Sequence, residues 1–431
     1  MATEVPHIPV LDGGVRLRER FRVAAPTWCA PPPADPLGPV DRLPLIVATL
    51  LAAGALVLVS LQHGGKPALL LALGLALGFT LFHSHFGFTS GWRQLVTVGN
   101  GQALRAQLLL LGVAATMITI VLAGQLAVFD PVTRPTAVPI GLALLIGATL
   151  FGIGMQLAGS CASGTLFAVG AGQSSIVLSL GGFVAGQTLC IWAYPAVQEL
   201  PAAPGLLLAD RVGWIGSSAV TWAAVLLAGG LTWHVQRKRR PPPVAPPPTA
   251  RGAARLYRGT WSPTAGALVL GVLAGLVFLV SGRVWAVASA FGLWGTKLLQ
   301  AAGGHPEHWA FWQLPDNARQ LQAPLLTDRL TLTNLGIMIG AAVAAAAAGA
   351  WRLHTRMPAR AALAALLGGL LMGVGSRMSG GCNIGAFLGA ISVGNLSGWI
   401  WGCCALAGAW LGVQARPLLG LHNPRPSDSI C

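Results

Sequence analysis

The sequence predicts an all-α, polytopic membrane protein of about nine to ten transmembrane helices, arranged as two pseudo-symmetric repeats with broken or re-entrant helices. Three observations predict it. The 431 residues are 54% hydrophobic and only 9% charged, whereas soluble domains carry about a quarter charged residues. About ten apolar runs approach the roughly 20 residues needed to cross a bilayer. One unusual glycine–cysteine stretch is written twice.

The runs fall near 44–62, 67–82, 107–129, 138–158, 176–198, 212–235, 263–282, 330–351, 361–379 and 396–415. Most of the 57 glycines lie within them, which suits close helix approach and interrupted helices in lipid. Residues 1–43, with Arg16, Arg18, Arg20 and Arg22, read as a cytoplasmic tail without a signal peptide. Residues 44–235 form a first membrane half and 263–416 a second. Between them lies a basic, proline-stiffened spacer over 236–262, "QRKRRPPPVAPPPTARGAARLYRG". Residues 417–431 form a carboxy-terminal tail.

With ten spans, the tail, the spacer, the loop near 352–360 (Arg352, Arg356, Arg360) and the carboxy terminus share one side. The positive-inside rule makes that side the cytoplasm. The net charge of +15 sits in short loops between apolar runs, not in a stripe interleaved with aromatics, so nucleic acid is excluded as a partner. Seven cysteines are odd in number, include no CxxC and show no zinc spacing with histidine. The stretch "GGHPEHWAFWQLPD" holds His305, Glu307 and His308. It reads as an interfacial loop anchored by Trp309 and Trp312, since tryptophan is enriched at headgroup level; no metal and no cofactor are expected. No P-loop is present, so this chain itself is not expected to use ATP.

Place "GIGMQLAGSCASGTLFAVG" (152–170) over "GVGSRMSGGCNIGAFLGAI" (373–391), and they superpose without a gap. Gly152, Gly154, Gly159, Cys161 and Gly164 meet Gly373, Gly375, Gly380, Cys382 and Gly385. Glycine matches alone are weak evidence, because small-xxx-small patterns recur in membrane helices. A cysteine at the same place inside four aligned glycines is stronger. Paired repeats with discontinuous helices are how many transporters build a site near the bilayer midplane.

Glycine permits a break and a backbone φ that other residues resist. A short helix is expected to start just after each cysteine, near Ala162 or Asn383. Its first N–H groups lack intrahelical partners and favour an anion. Non-helical backbone is tolerated in lipid only where it is buried or lines a cavity, so the two breaks are expected to face each other and a path. A thiol adds a weak donor and a polarisable sulfur suited to a soft sulfur ligand. Cys190, Cys403 and Cys404 lie mid-helix without flanking glycines and read as small apolar packers; Cys29 and Cys431 lie in the tails. Ser163 and Asn383 cap the new helices or touch the ligand, capping being the preferred reading. Gln156 sits mid-span and can bond across helices. Arg93, Arg283, Lys297 and Arg377 flank the broken segments, where cations raise the local anion concentration. Arg377 precedes Cys382 by five residues; an ionisable group at that depth calls for a partner, either an anion in the waist or the cytoplasmic surface reached by snorkelling.

"GVGSRMSGGCNIGAFLGAI" followed by "GWIWG", with "GLVFLVSGRVWAVASAFGLWGTK" upstream, resembles the YeeE/YedE family, also called the sulphur-transport family, over most of 68–416. The resemblance implies an inner-membrane protein whose broken helices meet at a narrow waist. It further implies uptake of a small inorganic sulfur anion such as thiosulfate, passed between cysteine thiols, with a cytoplasmic sulfurtransferase as a candidate partner. Family members linked to selenium keep a selenium species in view. The family often carries a third cysteine near its start; here the matching stretch is "HSHFGFTSGWRQL" (83–95), and Gly87 stands in its place. His83 and His85 lie just before it as alternative donors, or as helix-end residues facing headgroups. The expected substrate path is therefore Cys161, Cys382, Gly159, Gly380, Gly381, Asn383, Ser163, Arg377, Gly87 and His85. A conduit for a sulfur anion is the favoured function. A sulfur-relay enzyme carrying a cysteine persulfide is the alternative, but it needs a base beside the thiolate and none lies near either cysteine in sequence. A scaffold for a partner enzyme rests only on the length of the spacer.

Overall fold

The computed structural model describes residues 39–424 apart from 127, 130–133, 242–249, 251 and 354–356. Most of the basic tail, Cys29 and Cys431, Arg251 and Arg356, and the greater part of the spacer's proline run lie outside the described residues.

The first half contains α1 (Arg42–His63), α2 (Gly65–His83), α3 (Phe88–Val98), α4 (Gln102–Ala123), α5 (Leu142–Ala158), α6 (Ala162–Gly170), α7 (Ile176–Trp192), the short α8 (Tyr194–Gln198) and α9 (Ala209–Arg239). The second contains α10 (Pro263–Ser281), α11 (Ser289–Ala301), α12 (Pro315–Gln322), α13 (Arg329–Ala348), α14 (Ala359–Met378), a π-helical turn (Asn383–Gly389) running into α15 (Ala390–Ser392), and α16 (Leu396–Ala415). Strand β1 (Ile140–Gly141) pairs antiparallel with β2 (Ala202–Ala203) in a two-residue ladder between loops. Among the described residues, nine helical stretches are long and apolar enough to cross a membrane, and α7 is a tenth, shorter apolar helix. The chain is thus an all-α polytopic membrane protein, with an apolar helix at each expected run.

Helices α3 and α11 are new relative to the sequence reading. At 11 and 13 residues they are too short to cross a bilayer alone. Each follows a long helix and an irregular stretch, and each precedes another long helix. The order α2–α3–α4–α5–α6–α7 therefore recurs as α10–α11–α13–α14–π turn–α16, while α1 and α9 stand outside the repeat and are mostly exposed.

The most extensive helix contacts run between the halves: α13 on α2, α14 on α7, α14 on α5, α16 on α5 and α10 on α4. Glycine makes these approaches possible. A Cβ on Gly78 would lie 2.1 Å from Ile337 O, one on Gly152 2.1 Å from Ala405 O, and one on Gly340 2.1 Å from Leu75 O. Such close backbone approach is what small residues provide in lipid, where no hydrophobic force draws helices together.

The basic spacer, the start of α1 and the loop after α13 share one end of the bundle. Asp41 N–H donates to Ala346 O, Arg258 Nε to Ala347 O and Trp261 N–H to His83 O. Gly420, after α16, faces Arg360 at the same end. Helices α5 and α14 run antiparallel, Gly154 against Gly368 and Gly147 against Gly375. Gly159 thus lies toward the spacer end and Gly380 toward the far end.

The loop over 298–328 is less interfacial than expected. Phe311 and Trp312 are buried with Ile191, Leu293 and Leu321 in a satellite core. Trp309 only packs against that cluster, so of the two tryptophans Trp312 is a core residue. Its sequence neighbourhood is mixed, and its partners on α7 and α11, Ile191 and Leu293, account for its burial.

Candidate functional site

Four breaks in the helices meet in one buried core, which includes Phe86, Phe88, Trp92, Cys161, Trp285, Ala288, Cys382 and Phe387. The break between α5 and α6 turns on Gly159, at φ 75°. The break after α14 turns on Gly380 and Gly381, at φ 79° and 153°. These are backbone conformations that glycine adopts without cost. Both Gly159 and Gly380 are exposed, and nothing lies within 4 Å of a Cβ added at either. The glycines are there for conformation, not for lack of space. Alanine at either position should fit sterically and cost about 1–2 kcal/mol, the penalty of a left-handed residue. Thermal unfolding of the purified variants in detergent should show a modest fall in Tm with insertion intact.

Behind each exposed glycine sits a buried thiol. Cys161 is 1% exposed and Cys382 is 0%. Cys161 itself is the N-cap of α6: its Sγ accepts from Gly164 N–H at 3.4 Å and lies 3.5 Å from Ser163 Oγ. Cys382 likewise stands at the N-cap position of the π turn, in extended backbone, but its side chain makes no cap hydrogen bond. A Cβ added at Gly385 would lie 3.3 Å from Ala286 Cβ, so the stretch leading into α11 reaches the Cys382 break directly.

The expectation that Asn383 caps its helix does not hold. Asn383 is 1% exposed, and neither its Oδ1 nor its Nδ2 has a partner. The cap positions are taken by the cysteines, and the helix after Cys382 is wound as a π turn, with Ala386 and Phe387 N–H both on Cys382 O. Ser163 is fully buried beside Cys161.

The re-entrant helices are held by matching amides. Gln107 Nε2 on α4 donates to Gly87 O, and Asn334 Nδ2 on α13 donates to Val287 O. Gly87 is the residue before α3, and Gln156 Nε2 donates to Thr89 O, tying α3 to the helix that ends at Gly159. Trp92 on α3 meets Phe387 on the π turn edge to face at 5.9 Å. His85, at φ 47°, is exposed where α2 ends. His83 is the buried one, stacked on Trp261 with Nε2 unpartnered.

Arg377 ends α14 at the far end, about 27 Å from the basic loop at its start, taking 1.5 Å per residue. Snorkelling to the spacer side is therefore ruled out by distance. Its guanidinium lies 4.0 Å from the Phe311 ring centroid. It lines a cavity of about 510 Å³ with Cys190, Tyr194, Asn317, Ser379 and Gly380. No carboxylate pairs with it among the described residues. Cys190, expected to be a plain packer, lines this cavity. Its place in the α7 run carries no glycine signal, and only the approach of α14 reveals it. Toward the spacer end, Arg416 donates to Gln156 O and His422 O.

The carboxylates of the described residues, Asp41, Glu199, Asp210, Glu307, Asp316 and Asp328, lie in loops or at helix ends. Glu307 is held below the usual carboxylate range by its own backbone N–H, Gln300 and His305. Among the described residues no three His, Cys, Asp or Glu side chains cluster as a metal site. The core thus offers N–H and S–H donors with no fixed negative charge beside them, which suits an anion.

Residues 83–411 match the family described as sulphur transport. The thiosulfate transporter TsuA of Escherichia coli (strain K12) is 28% identical over 366 residues, covering 80% of this chain and 94% of that protein. TsuA of Spirochaeta thermophila is 26% identical over 350 residues, covering 79% and 96%. The probable transporter YedE of Escherichia coli (strain K12) is 30% identical over 154 residues. In that match the chain spans 37% of the length of YedE.

Proposed function

The chain belongs to the sulphur transport family, and on that premise we propose that it conducts a small sulfur-bearing anion, thiosulfate first, across an inner (plasma) membrane. One observation carries the reading. Two buried thiols share a core, each at the N-cap position of a helix break, each behind an exposed glycine, and the two glycines face opposite ends of the bundle. In this reading Arg377 gathers the anion into the far-end cavity. The anion passes Gly380 and Gly381 to Cys382, then Cys161 and Gly159, and leaves past Arg93 and Arg416. Asn383 and Ser163 supply further polar contacts, and Gly87 leaves room where the family places a third thiol. The spacer end is cytoplasmic, as its arginines require. The Cys161 thiol meets an N–H group and a hydroxyl and no base, so we read the chain as a conduit and not an enzyme. A sulfurtransferase that consumes the anion would be a separate cytoplasmic protein.

Uptake of labelled thiosulfate into proteoliposomes tests the reading. Saturable uptake above that of empty vesicles is expected, and its absence would reject thiosulfate as the substrate. Arg377→Glu should raise KM about tenfold, as expected when a like charge replaces a gathering cation, with a smaller effect on the maximal rate. An unchanged KM would remove Arg377 from the path.

A further inference from the structure

A second recess lies apart from the thiols, on the outer face of the first half. It is a crevice of about 480 Å³ between α3, α4, α9 and α16, a size typical of small-molecule sites. Trp92 and Phe387 form its floor, Leu231 and Leu406 its walls, and Arg239 stands at its rim. Internal symmetry shows that such a recess wants an occupant. In the second half, the flank of α11 beside α7 is filled by the chain's own Phe311, Trp312 and Leu321. The matching flank of α3 beside α16 has no such segment among the described residues.

The rim names the chemistry. Arg237, Lys238, Arg239 and Arg240 follow one another where α9 leaves the apolar zone. No carboxylate of the described residues pairs with any of them. Arg239 Nη1 donates to Val96 O at 3.3 Å, fixing the side chain beside the end of α3. Arg237 lies 3.9 Å from the Trp233 ring centroid. A basic cluster just beyond a membrane helix binds anionic headgroups, and an apolar slot directly beneath it accepts hydrocarbon.

We propose that this crevice is a binding site for one anionic phospholipid of the spacer-side leaflet, its headgroup on Arg239 and one acyl chain against Trp92 and Phe387. The chain then rests on the π turn that follows Cys382 and on re-entrant α3, replacing the protein plug of the other half. The site is independent of what the thiols carry.

Native mass spectrometry of the full-length protein in detergent, titrated with phosphatidylglycerol or phosphatidylcholine, tests it. Wild type should retain one phosphatidylglycerol several-fold better than phosphatidylcholine. Arg239→Ala should abolish that preference, while Arg211→Ala, outside the crevice, should leave it. Ala228→Trp or Leu406→Trp, which fill the slot, should remove the bound lipid of either kind. Equal retention of the two lipids by wild type overturns the proposal. So does a preference that survives Arg239→Ala, a lipid adduct that survives both tryptophan variants, or dimer formation in place of lipid adducts.

Discussion

Cys382→Ala is expected to lower thiosulfate uptake roughly 10- to 100-fold. One hydrogen bond to a charged partner is worth about 1.5–3 kcal/mol, and each 1.4 kcal/mol is tenfold. The thiol is fully buried at the break after α14, at the N-cap position of the π turn. Alanine removes the donor that an anion would meet. Cys382→Ser keeps a hydroxyl donor and should retain intermediate uptake. Cys161→Ala should fall in the same range and also lose an N-cap, costing about 0.5–2 kcal/mol of stability. Cys404→Ala, on a partly exposed face of α16, should transport normally. Initial rates at equal amounts of protein check all four. Full uptake by Cys382→Ala, with the protein folded, would remove the thiol from the mechanism.

Gly340→Leu is expected to prevent accumulation of folded protein. Gly340 lies where α13 crosses α2, and a Cβ there would sit 2.1 Å from Leu75 O and 2.9 Å from Leu75 Cα. Backbone cannot rotate aside as a side chain can, so the two helices must separate along their whole contact. Overpacking costs typically about 1–3 kcal/mol and occasionally more. Here Gly336 and Gly74 in the same crossing also leave no room, with a Cβ at either 2.6 Å from a backbone oxygen, which places the cost at or above about 3 kcal/mol. Gly181→Leu on α7, with nothing within 4 Å of an added Cβ, is the control and should accumulate as wild type does. Membrane-fraction immunoblots and thermal unfolding separate the two.

Much of the fold was legible because lipid imposes length. Each apolar run near 20 residues corresponds to a helix, and the repeated "GSCASG" and "GGCNIG" mark two real breaks with their glycines at positive φ. Helices α3 and α11 were not legible, since "FTSGWRQLVTV" and "SAFGLWGTKLLQA" are short and mixed. Tertiary contacts support them, among them Gln107 and Asn334, which satisfy the carbonyls before them. At the site, the cysteine pair followed from local sequence. Cys190 beside Arg377, Trp312 in a core and the unpartnered amide of Asn383 did not, because each depends on which helix of the other half arrives next to it.

That dependence bears on how such a molecule can move. Many secondary transporters expose a site alternately by rocking one repeat against the other, which requires a slippery seam between two self-contained bodies. Here the tightest crossings, backbone on backbone at Gly78, Gly152 and Gly340, stitch the two repeats through each other. Neither repeat encloses a core of its own, so a half made alone should be degraded, and the halves made as separate chains should be rescued only by one another. If the chain conducts an anion as proposed, these crossings point to small displacements at the glycine hinges as the way it passes.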